Sequence, residues 1–165
     1  RYPAVVVMPQ APAGGSWHGA VLEGAMAALH HAVDGLATDP DRVYLTGISM
    51  GGNGAWSLMH GHAHTFAAVV PICGWVSRTG RPAAGADAHL EQLARSVAAT
   101  PIWIFHAADD AIVRVEESRR AAAVLERHGC DVRYTELPGV RHNSWDPAYA
   151  MPELSAWLFA QRRHR

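Results

Sequence analysis

Apolar residues along the chain fall into two kinds of run that alternate. Short continuous runs rich in Val, Ile and Leu suit strands buried on both faces. Longer stretches with apolar residues three and four apart suit helices with one buried stripe. Tyr2 to Met8 is the first run of the strand type, followed by a Pro/Gly loop from Pro9 to Ser16. His18 to Leu36 reads as a helix, with Val21, Leu22, Ala25, Met26, Leu29 and Val33 on one stripe. Arg42 to Ile48 is the second predicted strand and Met50 to Gly61 the helix after it. Phe66 to Ile72 is the third strand, with an irregular loop over Gly74 to Gly85. A helix from Asp87 to Val97 turns Leu90, Leu93 and Ala94 inward. Pro101 to Phe105 is the fourth strand, and Val115 to His128 a helix with Gly129 at its C-terminal cap. Asp131 to Leu137 is the fifth strand, and Pro147 to Gln161 a closing helix that Pro152 is placed to break.

Strands alternating with helices predict an α/β fold, a doubly wound and mostly parallel sheet of about five strands. No internal repeat or linker divides the chain, so residues 1–165 read as one domain. In such a sheet the loops after the strands' C-terminal ends share one face, where ligands bind. Those loops carry Gln10 to Trp17, the turn at Ser49, Cys73 to Gly85, Ala107 to Arg114 and Pro138 to Asp146.

The second strand runs into Gly47-Ile48-Ser49-Met50-Gly51, a Gly-x-Ser-x-Gly pattern with a helix behind it. Strand, tight turn and helix make this the context of a nucleophile elbow. A serine at such a tip sits in a strained conformation, and Gly47 and Gly51 are expected to flank it because a Cβ at either would collide with a neighbour. The turn lifts the Ser49 hydroxyl off the sheet and leaves the Met50 N–H at a helix N-terminus, suited to a developing oxyanion. A Gly-rich turn whose serine merely caps the helix is the plain alternative.

A serine hydroxyl is a weak nucleophile that needs a base, and the base needs an orienting group. Both follow in the order Ser, Asp, His. His106-Ala107-Ala108-Asp109-Asp110-Ala111-Ile112-Val113 comes after the fourth strand, and Gly139-Val140-Arg141-His142-Asn143-Ser144-Trp145 after the fifth. Each group sits on a loop of the ligand face, so Ser49, Asp110 and His142 can converge.

Composition narrows the picture in only a few places. A net charge of −1 gives no reason to expect nucleic acid or an anionic membrane as partner. All 14 basic residues are Arg, which excludes a Lys Schiff base. No apolar run approaches the roughly 18 residues of a membrane helix, and no signal-peptide pattern is present. The chain opens on Arg1 directly before an apolar run and reads as processed, trimmed or a fragment. Cys73 and Cys130 lie in no Cys-x-x-Cys pair and read as small buried hydrophobes, with a disulfide as the alternative. His60, His62 and His64 alternate without a neighbouring Cys or carboxylate and are read as a polar turn rather than a metal site, and His30-His31 as a solvated helix face. Trp17, Trp75 and Trp145 fall in loops of the ligand face, where they would wall an acyl or aryl pocket or simply pack the loops, whereas Trp56, Trp103 and Trp157 lie within elements and read as core.

On these motifs the chain resembles the α/β-hydrolase superfamily, and more narrowly bacterial esterases of the polyhydroxybutyrate-depolymerase-like and predicted-peptidase group. Asp39 to Gly52 (Asp-Pro-Asp-Arg-Val-Tyr-Leu-Thr-Gly-Ile-Ser-Met-Gly-Gly) is similar to that group's elbow. Pro101-Ile102-Trp103-Ile104-Phe105-His106 and Gly139 to Asp146 resemble its acid and base loops. The resemblance implies Ser49 as nucleophile, His142 as general base and acid, and Asp110 as orienting carboxylate. The group's acid loop, His-Gly-x-x-Asp with Val or Ile after it, selects Asp110 over Asp109 when counted from His106. His106 is then a structural hydrogen-bonder beneath the loop. Ala107 stands where Gly is usual, and Arg114 where Pro is common. Relatives also carry an earlier strand, beside the elbow strand, whose His-Gly loop gives a second oxyanion donor. That strand is not in this chain, so the fold is expected to lack the N-terminal strands of the full hydrolase. Gln10 and Gln92 have suitable side chains, and Gln10 is on the correct face.

Two functions are expected from this. One is a cofactor-free serine ester hydrolase acting through an acyl-enzyme on small acyl or aryl esters, with polyester, feruloyl-ester or peptide cleavage as variants. The other is a truncated hydrolase-like domain of little turnover that binds a ligand or partner.

Overall fold

The structure is a computed structural model that describes residues 3–77, 87–97 and 99–163. The predicted loop over Gly74 to Gly85 therefore lies partly outside the described residues. Four strands form the sheet: β1 (Tyr44–Ile48), β2 (Ala68–Ile72), β3 (Ile102–Ala107) and β4 (Val132–Leu137). Their spatial order is their sequence order, and every neighbouring pair is parallel. Parallel strands joined by right-handed crossovers that step in one direction put their connecting helices on one face. That face is covered by α1 (Ala20–Gly35), α2 (Met50–His62), α3 (Asp87–Val97) and α4 (Glu116–Arg127). The other face is covered by α5 (Trp145–Ala150) and α6 (Pro152–Ala160). Met151 adopts an extended conformation between them, so the predicted closing helix is divided at Pro152.

The inner strands show why continuous apolar runs were needed. All of β2 and β3 is buried, and alternate residues serve opposite cores. Val69, Ile102 and Ile104 pack with Met59, Leu93 and Leu125 beneath α1–α4. Val70, Ile72, Trp103 and Phe105 pack with Leu154 and Trp157 beneath α6. Trp56, Trp103 and Trp157 are all buried, as their positions within elements predict. Both cysteines are buried and free. His30 and His31 are exposed on α1.

The first predicted strand does not form. Residues 3–10 carry no strand, and Val5, Val6 and Met8 are 54%, 71% and 84% exposed. A Val-rich run has strand propensity, but a strand exists only where its N–H and C=O groups meet a neighbour. β1 pairs with β2 alone, its other side is unpaired among the described residues, and the N-terminal run does not dock there. Among the described residues the sheet therefore has four strands, where about five were expected.

Close backbone approaches anchor the turn between β1 and α2. A Cβ on Gly47 would overlap the Gly51 carbonyl, and one on Gly52 would sit 2.7 Å from Ile72 O and 2.8 Å from Gly74 Cα. Gly74 faces the same crossing from the other side, against the Gly52 backbone. Gly51, expected to be equally constrained, has open space where its Cβ would be, because it points away from the β2 terminus. The constraint expected at Gly51 belongs to the Gly52–Gly74 contact. Gly74→Ala is accordingly expected to destabilise the fold by about 2–3 kcal/mol. Gly51→Ala should stay within about 1 kcal/mol of the parent, on the stabilising side. Urea midpoints of the two variants measure the difference.

Candidate active site

The chain leaves β1 at Ile48 and enters α2 at Met50, so one residue makes the whole turn. Ser49 does so with φ 52° and ψ −115°, a left-handed region that costs a non-Gly residue about 1–3 kcal/mol. Three backbone hydrogen bonds resist relaxation. Ser49 N–H donates to Ile72 O at 2.9 Å, Asn53 N–H donates to Ser49 O at 3.0 Å, and Cys73 N–H donates to Phe105 O at 2.9 Å. The Asn53 side-chain amide donates to Trp75 O at 2.9 Å, which ties the first turn of α2 to the loop after β2. The Ser49 hydroxyl is thus presented above the C-terminal edge of the sheet by a turn that its neighbours hold in place.

Asp110 follows β3 in a tight loop. Its Oδ1 accepts the N–H groups of Ile112 and Val113, both at 2.9 Å, so the loop closes around the carboxylate. Its Oδ2 accepts from His142 Nδ1 at 2.7 Å. His142 Nε2 lies 3.0 Å from Ser49 Oγ. A carboxylate only accepts, so Nδ1 carries the proton, Nε2 is bare, and the Ser49 hydroxyl donates to it. Ser49, Asp110 and His142, named from their loops, are brought into one continuous hydrogen-bonded series. Asp109, the competing carboxylate, is exposed and makes no such contact; its N–H donates to Val140 O.

The carboxylate's environment is mixed in sign. Burial alone would push the Asp110 carboxyl up. The hydrogen bonds from His142 and from the Val113 and Ile112 N–H groups outweigh it, and the carboxyl is held below its usual range. Cys73, also with a positive φ of 42°, places its thiol in a cluster with Asp110 and His142 whose donor atoms lie within 4.8 Å of one another. Burial, partly opposed by the Ser144 hydroxyl, pushes that thiol up and keeps it protonated.

The tryptophans are used differently from one another. Trp145 sets its ring edge-on to His142, with centroids 5.5 Å apart at 86°. Trp75 is half-buried on the loop after β2. Trp17 packs onto α2 at Gly54, where a Cβ would meet its ring at 2.6 Å. Met50 is partly exposed at the start of α2. Gln10 is exposed in the unpaired N-terminal segment and makes no hydrogen bond to the elbow among the described residues. Three buried polar groups escaped the sequence reading. Glu117 accepts the N–H groups of Val76 and Ser77 and the Ser77 hydroxyl, each at 2.9 Å, and so holds the loop after β2 from beneath. Ser118 meets His106, and Ser144 lies fully buried beside Cys73. Only the high helical amphipathicity of α4 hinted that its first turn faces inward.

A parallel sheet with a nucleophile-elbow geometry at Ser49 defines an α/β hydrolase. Residues 13–150 match the model of the Dienelactone hydrolase family, and the chain belongs to that family. No curated protein matches the sequence. Among solved structures, the chain is 35% identical to a thermostable esterase, with a TM-score of 0.75 over 86% of this chain and 36% of that one. It therefore spans little more than a third of that esterase's length. An acylaminoacyl peptidase of Pyrococcus horikoshii shares the fold at 15% identity, with a TM-score of 0.68 over 83% of this chain and 26% of that one. The acyl-protein thioesterase 2 of Zea mays does so at 20% identity, with a TM-score of 0.59 over 84% of this chain and 65% of that one.

Stability should depend on acid in two steps. Burial lowers the pKa of His106 below its ordinary value, so the folded ring stays neutral where the unfolded one is protonated. Its contribution is complete above about pH 6.5 and declines as pH falls from there. The Asp110 contribution is complete above about pH 4 and is lost as pH falls through its depressed folded value. Urea midpoints measured from pH 8 to pH 3 should fall in both ranges. His106→Gln should flatten the first and Asp110→Asn the second.

Proposed function

We propose that the chain is a serine ester hydrolase in which Ser49 is the nucleophile, His142 the general base and acid, and Asp110 the group that orients it. The single observation that carries the reading is the unbroken series from Asp110 Oδ2 through the His142 ring to Ser49 Oγ, at 2.7 and 3.0 Å. As Ser49 Oγ attacks an ester carbonyl, its proton passes to His142 Nε2. The imidazolium so formed is stabilised by Asp110 and returns the proton to the departing alcohol. Water then gives its proton to Nε2 as it attacks the acyl-enzyme, which releases the acid and frees Ser49. The Met50 N–H, at the start of α2, is the oxyanion donor this scheme requires. Trp75, half-buried on the loop after β2, and Trp145, half-buried at the start of α5 rather than in the predicted loop and edge-on to His142, suit an acyl or aryl group, and small acyl or aryl esters are the proposed substrates. Longer polyesters, feruloyl esters and peptides are the variants within the class. Trp17 is the weaker member of the proposed pocket, because its ring is engaged with α2.

One observation favours the second reading, a ligand- or partner-binding domain of little turnover. Gln10, the proposed second oxyanion donor, is exposed and unconnected to the elbow. Loss of one donor costs roughly 100- to 1,000-fold in rate.

Hydrolysis of p-nitrophenyl butyrate by the parent chain and by Ser49→Ala separates the two. The esterase reading predicts that the variant loses about 1,000-fold or more. A parent no faster than Ser49→Ala would instead favour the binding domain.

A further inference from the structure

The end of β3 contains a second imidazole. His106 is fully buried, one residue before the strand ends at Ala107. Its Nε2 lies 3.0 Å from Val113 O and 3.3 Å from Asp110 Oδ2. Its Nδ1 lies 2.7 Å from the hydroxyl of Ser118, on the first turn of α4. Val113 O only accepts, so Nε2 must carry the ring proton. Nδ1 is then bare, and the Ser118 hydroxyl donates to it. This tautomer is opposite to the one at His142; the His106 N–H is directed at Val113 O, and the nitrogen that carries it lies 3.3 Å from the carboxylate oxygen that accepts from His142. His106 also spans the acid loop, since Val113 and Asp110 lie at its two ends.

We propose that His106 is a positioning residue: a neutral imidazole, oriented by Ser118, whose Nε2–H fixes the acid loop and weakens the pull of Asp110 on the His142 proton. The inference rests on the reading that Asp110, His142 and Ser49 act as a relay. An N–H dipole beside Oδ2 draws charge from that oxygen. Without it the carboxylate holds the imidazolium form of His142 more strongly, which moves the acid limb of activity to higher pH. Burial favours the neutral state this role needs.

Other charged and titratable groups among the described residues lie around the two rings. Glu136 is the strand partner of His106 on β4. Arg119, at 2.6 Å, and the Tyr134 hydroxyl hold its carboxyl at about 2, so its charge is constant through the working range. Glu117, beside Ser118, is engaged by Val76 and Ser77. The Cys73 thiol faces His142 and stays protonated through burial.

The test compares His106→Leu, His106→Gln and Ser118→Ala with the parent and with Ser49→Ala, as pH profiles of p-nitrophenyl butyrate hydrolysis from pH 5 to pH 9. Gln can place an N–H near the position of Nε2, whereas Leu cannot. His106→Leu is expected to lower kcat about 10- to 100-fold with KM little changed. It should also move the acid limb of kcat/KM up by about half a pH unit or more. Ser118→Ala, which keeps the ring, should move the limb in the same direction by less. His106→Gln should restore most of kcat and return the limb toward the parent. An acid limb that stays at the parent position in Ser118→Ala and in soluble His106→Leu would overturn the inference, as would His106→Gln as impaired as His106→Leu. Should His106→Leu not fold, the position of the acid limb in Ser118→Ala decides. Failure of the relay reading looks different: Ser49→Ala would then retain parental activity.

Discussion

The Asp110 carboxylate is the point on which the site's geometry depends. It is a buried charge, and such a charge persists only when hydrogen bonds replace the water it has lost. Two backbone N–H groups of its own loop and the His142 ring supply that replacement, and the His106 ring nitrogen lies 3.3 Å from the same carboxylate. The same contacts that keep it ionised also shape the loop that presents it. They hold the tautomer of His142 and so determine that the Ser49 hydroxyl is a donor. Strand β3 delivers the aspartate, β4 delivers the histidine, and their parallel register from Ile102–Val132 to Ala107–Leu137 brings both loops to one rim.

The serine reaches that rim by a different constraint. Its conformation is held by the crossing of α2 over the end of β2, where two glycine backbones touch. Any side chain at Gly52 or Gly74 would push the helix away and take the hydroxyl with it. The strain at Ser49 is therefore supported by packing that lies behind the site rather than within it. The first turn of α4 plays a comparable part, holding the loop after β2 through Glu117 and the acid loop through Ser118 and His106.

What the sequence revealed follows from how local each feature is. Ser49 was legible because a strand, a turn and a helix are adjacent in the chain and the turn demands particular residues. Asp110 and His142 were legible because each follows a strand and the two come in a constrained order. The division of the last helix was visible in Pro152. The run from Tyr2 to Met8 shows the limit: its composition suits a strand, but pairing depends on a neighbour that no local pattern specifies. Gly51 shows another, since whether it or Gly52 meets the Gly74 backbone depends on where β2 ends. Glu117 and Ser118 were hidden because a buried polar residue resembles a surface one until its partners, far away in the chain, are known; His106 reads as a hydrogen-bonder beneath the acid loop, and only its partners were missing.

The most direct measurement of the central claim is mass analysis of the peptide containing Ser49 after exposure of the chain to a fluorophosphonate. The account predicts one covalent adduct, on Ser49, forming far more slowly in His142→Ala than in the parent. An unmodified Ser49, or an adduct formed equally fast without the imidazole, would contradict it.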